Sequence, residues 1–366
     1  MSQLCSESKG RALVKTVDVV IIGSGSLARG IVHALSQIAT GSIRIAIIGR
    51  SAVKVSRMAL IANARAASFG TSPIFFPLEI PQFNATAFSR AFRALKPKII
   101  LLAASLQSPW ESSQDENLWT RLIADAGFGI TLPLQLKFAA EVSHGVADSE
   151  TAIINACYPD CVNVALHRLG FRTTCGIGNS AIVEALCRAR RDIASDDVRV
   201  VGHHGHLGAW LKGRTAQSQP RVWVRGKEIK SKRLRPNLGP IGEELNSVTS
   251  STATRVLMSL LLGETLHTSV PGVAGMPGGY PFIVKRGKFA LHLPSGITAA
   301  EAIAHNKTGE RLDGLDLGTG VKFLGKAQRS LARVGFEYAE GFDLAEWPSA
   351  CEKLIALRDQ LRLTKA

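Results

Sequence analysis

The chain has 366 residues, 46% of them hydrophobic, and a formal net charge of +15. That length supports two structural units, or one large α/β domain with an elaborated second half, around a sizeable core. The opening residues lack a signal-type apolar run and no stretch reaches the ~18 apolar residues of a membrane span, so secretion and membrane insertion are not expected and the setting is read as cytoplasmic.

Met1 to Thr16 is polar and basic and reads as a flexible lead-in, residues 1–16. Five of the next six residues, Val17 to Ile22, are apolar, the pattern of a strand buried on both faces. Gly23-Ser24-Gly25 follows at once, and Leu27, Ile31, Ala34 and Leu35 recur at helical spacing. Strand, glycine turn and helix in that order form a dinucleotide-binding opening. Gly23 permits the tight turn, Gly25 allows close approach of a pyrophosphate, and Ser26 and Leu27 open a helix whose N-terminus favours anions. Ala28 takes the third, small position of the fingerprint.

A second buried strand, Ser42 to Ile48, ends in Gly49-Arg50-Ser51. An acidic residue at this strand end would hold a ribose 2′-hydroxyl. Arg50 and Ser51 stand there instead, with Lys54 and Arg57 beyond, and suit a 2′-phosphate; NADP is therefore expected over NAD. Val53 to Ala67 reads as a helix, Pro73 to Pro77 as a short strand, Ala85 to Leu95 as a helix and Lys98 to Ser105 as a third buried strand, with Ala103 at its cofactor-facing end. Gln107 to Glu116 is a loop, Leu134 to His144 a helix, and Thr151 to Ala156 a strand that carries Asn155.

Such alternation predicts a Rossmann-type doubly wound parallel sheet over residues 17–157. An α+β substrate-binding domain is expected over residues 158–366, with a boundary near Tyr158. It opens with a turn at Tyr158-Pro159-Asp160 and a helix from Cys161 to Gly170. Next come a short strand and loop from Thr173 to Asn179 and a helix from Ala181 to Ile193. Short strands and hairpins follow Val198, then a helix from Asn246 to Leu262, a Gly/Pro-rich run from Gly272 to Tyr280, a hairpin around Arg286-Gly287-Lys288 and a final helix from Trp347 to Leu363.

Between Leu211 and Gly239 nine Lys or Arg residues face one acid, Glu228, a net +8 in one segment. Pro220 to Ile229 alternates apolar and basic residues around Arg225-Gly226, so a hairpin with a solvated basic face is expected rather than a nucleic-acid surface. The six cysteines (Cys5, Cys157, Cys161, Cys175, Cys187 and Cys351) form no disulfide-type array. Cys157 and Cys161 are four apart, but no second pair stands at zinc-ribbon spacing; buried thiols and no metal are expected.

Val198 to Val201 reads as a strand that delivers His203, His204 and His206 into a turn between Gly202 and Gly205. Glycines admit a ligand closely, and imidazole is the usual acid/base near neutrality.

In order and spacing these motifs resemble the lactate/malate dehydrogenase-like superfamily, which also contains the NAD-dependent family 4 glycosidases. The resemblance runs from Asp18 to about Leu363 through Gly23-Ser24-Gly25-Ser26-Leu27-Ala28, Arg57 to Ala64, the strand ending in Asn155, Gly176-Ile177-Gly178-Asn179, Gly202-His203-His204-Gly205 and Ser269-Val270-Pro271-Gly272. It implies that His204 exchanges a proton with the substrate while hydride moves to or from nicotinamide. A carboxylate on the preceding helix, for which Glu184 is the nearest candidate, would orient His204. Asn155 would contact the nicotinamide end, Asn179 and Arg188 would bind substrate, and a homo-oligomer is expected.

Departures from the pattern narrow the substrate. The loop Gln107 to Glu116 has no arginine, and Arg121 lies beyond it. Arg188, Arg190 or the basic hairpin would have to bind an acid group, so lactate and malate are not expected and a specialised hydroxy or keto substrate is. Gly178 stands where the glycosidases place a metal-binding cysteine, which argues against that chemistry. The alternative from a different class is a nucleotide-binding sensor without turnover that uses its basic hairpin for a partner or nucleic acid, and a redox-assisted glycosidase comes third.

Overall fold

The computed structural model describes residues 16–111, 115–146, 150–193, 197–236 and 242–364; all but the last residue of the lead-in fall outside them. The first strand, β1 (Val19–Ile22), is buried throughout, because its alternate side chains enter two different cores. Val19 and Ile21 pack on one face of the sheet, Val20 and Ile22 on the other. Each of these side chains contributes roughly 1.5–3 kcal/mol on burial, which fixes the strand's register.

The chain continues through α1 (Ser26–Ile38), β2 (Arg44–Gly49), α2 (Ala52–Phe69), β3 (Ile74–Glu79), α3 (Ala85–Leu95) and β4 (Ile99–Leu102). Then come α4 (Leu118–Ala126), α5 (Leu132–Gly145), β5 (Ala152–Asn155), α6 (Pro159–Arg168) and β6 (Cys175–Gly176). Six parallel strands lie in the order β3-β2-β1-β4-β5-β6. The order reverses between β1 and β4, which pair with Val19 opposite Ile99 and Ile22 opposite Leu102. At such a reversal the following loops diverge and leave a crevice beyond the strand ends. Pro77 is tolerated because β3 is the sheet's edge.

The second half supplies α7 (Ser180–Arg188), β7 (Val198–Val201), α8 (His204–Leu211), β8 (Arg221–Val224), β9 (Lys227–Ile229), α9 (Leu245–Leu262), β10 (Leu266–Pro271), β11 (Gly279–Lys285) and β12 (Lys288–Leu291). It closes with α10 (Ala299–Leu312), β13 (Leu315–Leu317), β14 (Gly320–Phe323), α11 (Lys326–Arg333), β15 (Gly341–Asp343) and α12 (Trp347–Arg362). Three small antiparallel sheets, β7-β8-β9, β10-β11-β12 and β13-β14-β15, flank the parallel one. One core joins α1, α2, α9 and the β10–β12 sheet; the opposite core joins α3, α5, α6, α12 and the β13–β15 sheet. No helix among the described residues is long and apolar enough to cross a membrane.

Several expectations shift in the structure. The parallel sheet runs on through β6, beyond Tyr158. The helix expected to reach Ile193 ends at Arg188, and the histidine turn is the first turn of α8. Helices α4, α10 and α11 and the strands β13 to β15 were not legible from periodicity. The basic hairpin does form between β8 and β9, with Arg225 (φ 51°) and Gly226 (φ 74°) in the paired left-handed conformations of a tight turn. Its charges lie outside the crevice: Arg221 pairs with Glu228 at 2.7 Å and covers the Trp223 ring. The described cysteines are all free and buried.

Two glycines near the switch point do different work. Gly23 has φ +131°, and a Cβ there would lie 2.5 Å from the backbone oxygen of Ala103. Gly25, the N-cap of α1, has ordinary φ and nothing within 4 Å of a Cβ position. Gly23→Ala is therefore expected to lower unfolding free energy by about 1–3 kcal/mol, whereas Gly25→Ala should stay within about 1 kcal/mol of the parent. Denaturant titration of both variants checks this; equal losses would show that the β1–β4 approach is not what Gly23 serves.

Candidate active site

The crevice is a cleft of about 750 Å³ that runs from the glycine turn to His204. Gly23, Gly25, Ser26, Leu27, Arg50, Ser51 and Ala103, all singled out from the sequence, line it. No side chain caps the N-terminus of α1. Its first-turn N–H groups are left for an external acceptor, beside a glycine with open space in front of it. These residues fit a dinucleotide pyrophosphate. At the far side of the turn Arg50 lies 6.0 Å from the Phe83 ring and 5.9 Å from Phe138, and Lys54 also lines the wall. Glu79 occupies the N-terminus of α2, accepting from the Ala52 N–H at 2.9 Å, and is not among the cleft residues.

At the other end three histidines part company. His206 bonds Thr308 at 2.9 Å and stacks on His305 at 4.2 Å; burial holds its pKa well below the ordinary histidine value. His203 accepts from the Gly205 N–H and meets Cys161 Sγ at 3.3 Å. His204 alone lines the cleft. Its Nδ1 lies 2.9 Å from Oδ2 and 3.0 Å from Oδ1 of Asp313. An ionised carboxylate only accepts, so Nδ1 carries the proton and Nε2, which has no protein partner among the described residues, is left for the cleft.

Asp313 follows the last turn of α10 and is buried with no Lys or Arg paired to it among the described residues. Its Oδ2 also accepts from the Tyr158 hydroxyl at 2.9 Å. Burial pushes the Asp313 carboxyl up, but His204, His203 and the Tyr158 hydrogen bond outweigh it, and its pKa lies below the ordinary aspartate value. Burial likewise works against a charged His204, yet the Asp313 carboxylate overrides it and raises the imidazole pKa.

Backbone packing fixes this carboxylate. A Cβ at Gly127 or Gly129 would meet the Asp313 carbonyl oxygen at 2.5 Å, and the Gly129 N–H donates to that oxygen at 2.9 Å. Between these glycines Phe128 sets its ring 4.9 Å from that of His204. A second buried acid, Asp160 in the first turn of α6, accepts from the His204 N–H at 3.1 Å and from Asn179 Nδ2. Burial pushes the Asp160 carboxyl up.

Four expected residues lie elsewhere. Glu184 does not reach His204: it accepts from Arg188 at 3.1 Å and from the Ser269 N–H at 2.8 Å, and so ties α7 to β10. Arg188 is held in that pair, outside the cleft, because it projects from the same helix face as Glu184 one turn earlier. Arg190 is likewise engaged by Asp192 at 3.0 Å. Asn155 is buried behind the cleft wall, donating to Asn163 at 2.9 Å and bracketing Cys157; Ala156 and Cys157 line the cleft in its place. Asn179 does line the cleft, with φ 42°. The only Arg or Lys among the lining residues are Arg50 and Lys54. Tyr158, Phe128, Ile182 and Leu207 give the His204 end an apolar, aromatic wall.

No protein-family model matches the chain, and no curated protein does. Solved structures match it. The malate dehydrogenase of Cryptosporidium parvum covers 81% of this chain and 96% of its own at 15% identity, with a TM-score of 0.55. The lactate dehydrogenase of Cryptosporidium parvum, complexed with lactic acid and nicotinamide adenine dinucleotide, covers 81% and 98% at 12% identity, with a TM-score of 0.52. A further structure of that lactate dehydrogenase gives 13% identity and a TM-score of 0.51. The chain therefore has the Rossmann-based fold of the lactate and malate dehydrogenases.

Tyr158→Phe removes one donor from the buried Asp313 carboxylate. An unfolding free energy lower by about 1.5–3 kcal/mol is expected. Chemical denaturation measures it, and an unchanged midpoint would mean that the hydroxyl does not support the carboxylate.

Proposed function

We propose that the protein is an NADP-preferring oxidoreductase that exchanges hydride between nicotinamide and a specialised hydroxy or keto substrate. The observation that carries this reading is the continuity of one cleft from the uncapped N-terminus of α1 to the free Nε2 of His204. Its volume, about 750 Å³, lies in the range of ligand clefts. The bound nicotinamide supplies or accepts the hydride. His204 Nε2 gives a proton to the carbonyl oxygen during reduction, or takes it from the hydroxyl during oxidation. Asp313 holds the ring and favours its protonated form; Tyr158 and the Gly127–Gly129 segment hold Asp313. Phe128, Ile182 and Leu207 exclude water from the reacting end.

Sequence reading expected an acidic substrate. The pairing of Arg188 with Glu184 and of Arg190 with Asp192, and the apolar wall around His204, favour a carbonyl compound without a carboxylate beside the reacting carbon. The same shortage of cations also suits a nucleotide-binding protein without turnover.

Two measurements separate these readings. Purified protein titrated with NADPH and NADH, followed by energy transfer from tryptophan, should bind NADPH more tightly, and Arg50→Asp should reverse the order. No binding of either would end the dinucleotide reading, and an unaltered preference in Arg50→Asp would end the assignment of Arg50. A screen of neutral ketones, keto acids and the corresponding alcohols should then find turnover, which His204→Asn reduces by roughly 10²–10⁴-fold while cofactor affinity stays within a few-fold. Binding without turnover across the screen would favour the sensor. Keto acids preferred over neutral ketones would restore the acidic substrate.

A further inference from the structure

Next to the His204–Asp313 pair, but outside the cleft lining, three buried side chains converge from three elements. Cys161 lies in the first turn of α6, His203 caps α8 and Glu310 lies in the last turns of α10; their relative exposures are 0%, 1% and 0%. One donor atom of each lies within 4.8 Å of the other two, and His203 Nε2 is 3.3 Å from Cys161 Sγ. Glu310 Oε1 is engaged by Lys307 Nζ at 2.7 Å and by the Leu317 N–H at 2.5 Å. Its other oxygen, Oε2, is buried and has no hydrogen-bond partner among the described residues. An unpaired buried carboxylate oxygen costs about 1–3 kcal/mol or more, and a cation in contact with it removes that cost.

We propose that Cys161, His203 and Glu310 bind one Zn²⁺ ion. A thiolate, an imidazole and a carboxylate form a donor set for a borderline-soft ion, whereas Mg²⁺ and Ca²⁺ take oxygen ligands. Bonds of about 2.3 Å to sulfur and about 2.0–2.1 Å to nitrogen, at a tetrahedral angle, leave the two donors about 3.5 Å apart, close to the 3.3 Å between Sγ and Nε2. Thiolate and carboxylate together offset the ion's two charges, and Lys307, which shares Glu310, has Asp316 at 3.4 Å as a second partner. The fourth position is left to water.

Metal binding through Nε2 puts the proton on His203 Nδ1, which then gives up the Gly205 N–H it accepts from and faces Asp313 Oδ2, 3.5 Å away, as an outer carboxylate. That oxygen also receives Tyr158 and His204, so the ion braces the group that orients His204. No sequence spacing announces the site. Cys161 and His203 are 42 residues apart, and His203 and Glu310 are 107 apart (310 − 203). This replaces the expectation of a buried thiol with no metal at Cys161, and it stands whether or not the chain is a dehydrogenase.

The test uses the full chain. Zinc in the purified protein is measured by atomic emission; the metal is then stripped with a chelator under mild denaturant and Co²⁺ is returned during refolding. About one zinc per chain is expected, together with a thiolate-to-cobalt charge-transfer band that saturates at one equivalent and a rise in Tm of several degrees on metal return. Cys161→Ser should lose the band, and Glu310→Gln should weaken metal binding at least tenfold. Both should keep NADPH binding if they fold; should they fail to fold, the wild-type titration decides alone. Zinc-free protein that gives no thiolate band and no change in Tm with Co²⁺ or Zn²⁺ would overturn the proposal and leave a buried water as the partner of Glu310.

Discussion

A buried carboxylate with no Lys or Arg paired to it among the described residues organises the second half of this molecule. Asp313 has a Coulombic and hydrogen-bonding requirement that only neighbouring elements can meet, and they meet it with Tyr158 at the entry to α6 and His204 at the start of α8. An uncompensated buried charge is among the costliest defects a fold can carry. The junctions of α6, α8 and α10 are therefore set together rather than one at a time. Gly127 and Gly129 let the α4–α5 connection lie directly on the Asp313 backbone, and Phe128 between them sets its ring beside that of His204.

How far the sequence could be read follows the range of the signals. The parallel sheet was legible because a strand buried on both faces needs an unbroken apolar run, and Val19 to Ile22, Ile45 to Ile48 and Ile99 to Leu102 supply it within a few residues each. The glycine turn was legible for the same reason: turn, cap and helix are neighbours in the chain. His204 could be singled out from its flanking glycines. Its carboxylate could not, since Asp313 is 109 residues away and carries no local mark. Glu184 was the natural choice from helix register, but its salt bridge with Arg188 at i,i+4 and its bond to Ser269 are a structural use of the same charge. Tyr158 read as part of a turn; neither its φ of 47° nor the bond of its hydroxyl to Asp313, 155 residues away, leaves a signal in composition.

The large positive charge is a property of the outer faces more than of the cleft. Among the lining residues only Arg50 and Lys54 contribute to it, at the end remote from His204. A field of that kind raises the local concentration of anions around the cleft, while the His204 end keeps an apolar wall. The two ends of one cavity thus differ, the one beside the glycine turn basic and the one around His204 apolar and aromatic.

The loop that follows β4 is held from a distance. Arg362 of α12 grips Glu111 through two bonds of 2.7 and 2.5 Å, and Arg358 donates to the Leu106 carbonyl at 2.9 Å. Trp110 in that loop reaches Asn246 of α9 at 3.3 Å, and Asn246 donates to Ser26 of the glycine turn at 2.9 Å. Helix α12 is thereby wired to the glycine-turn end of the cleft through a loop and a helix that it does not follow in sequence. Strain applied to α12 is therefore carried to the cleft mouth through side chains rather than along the chain.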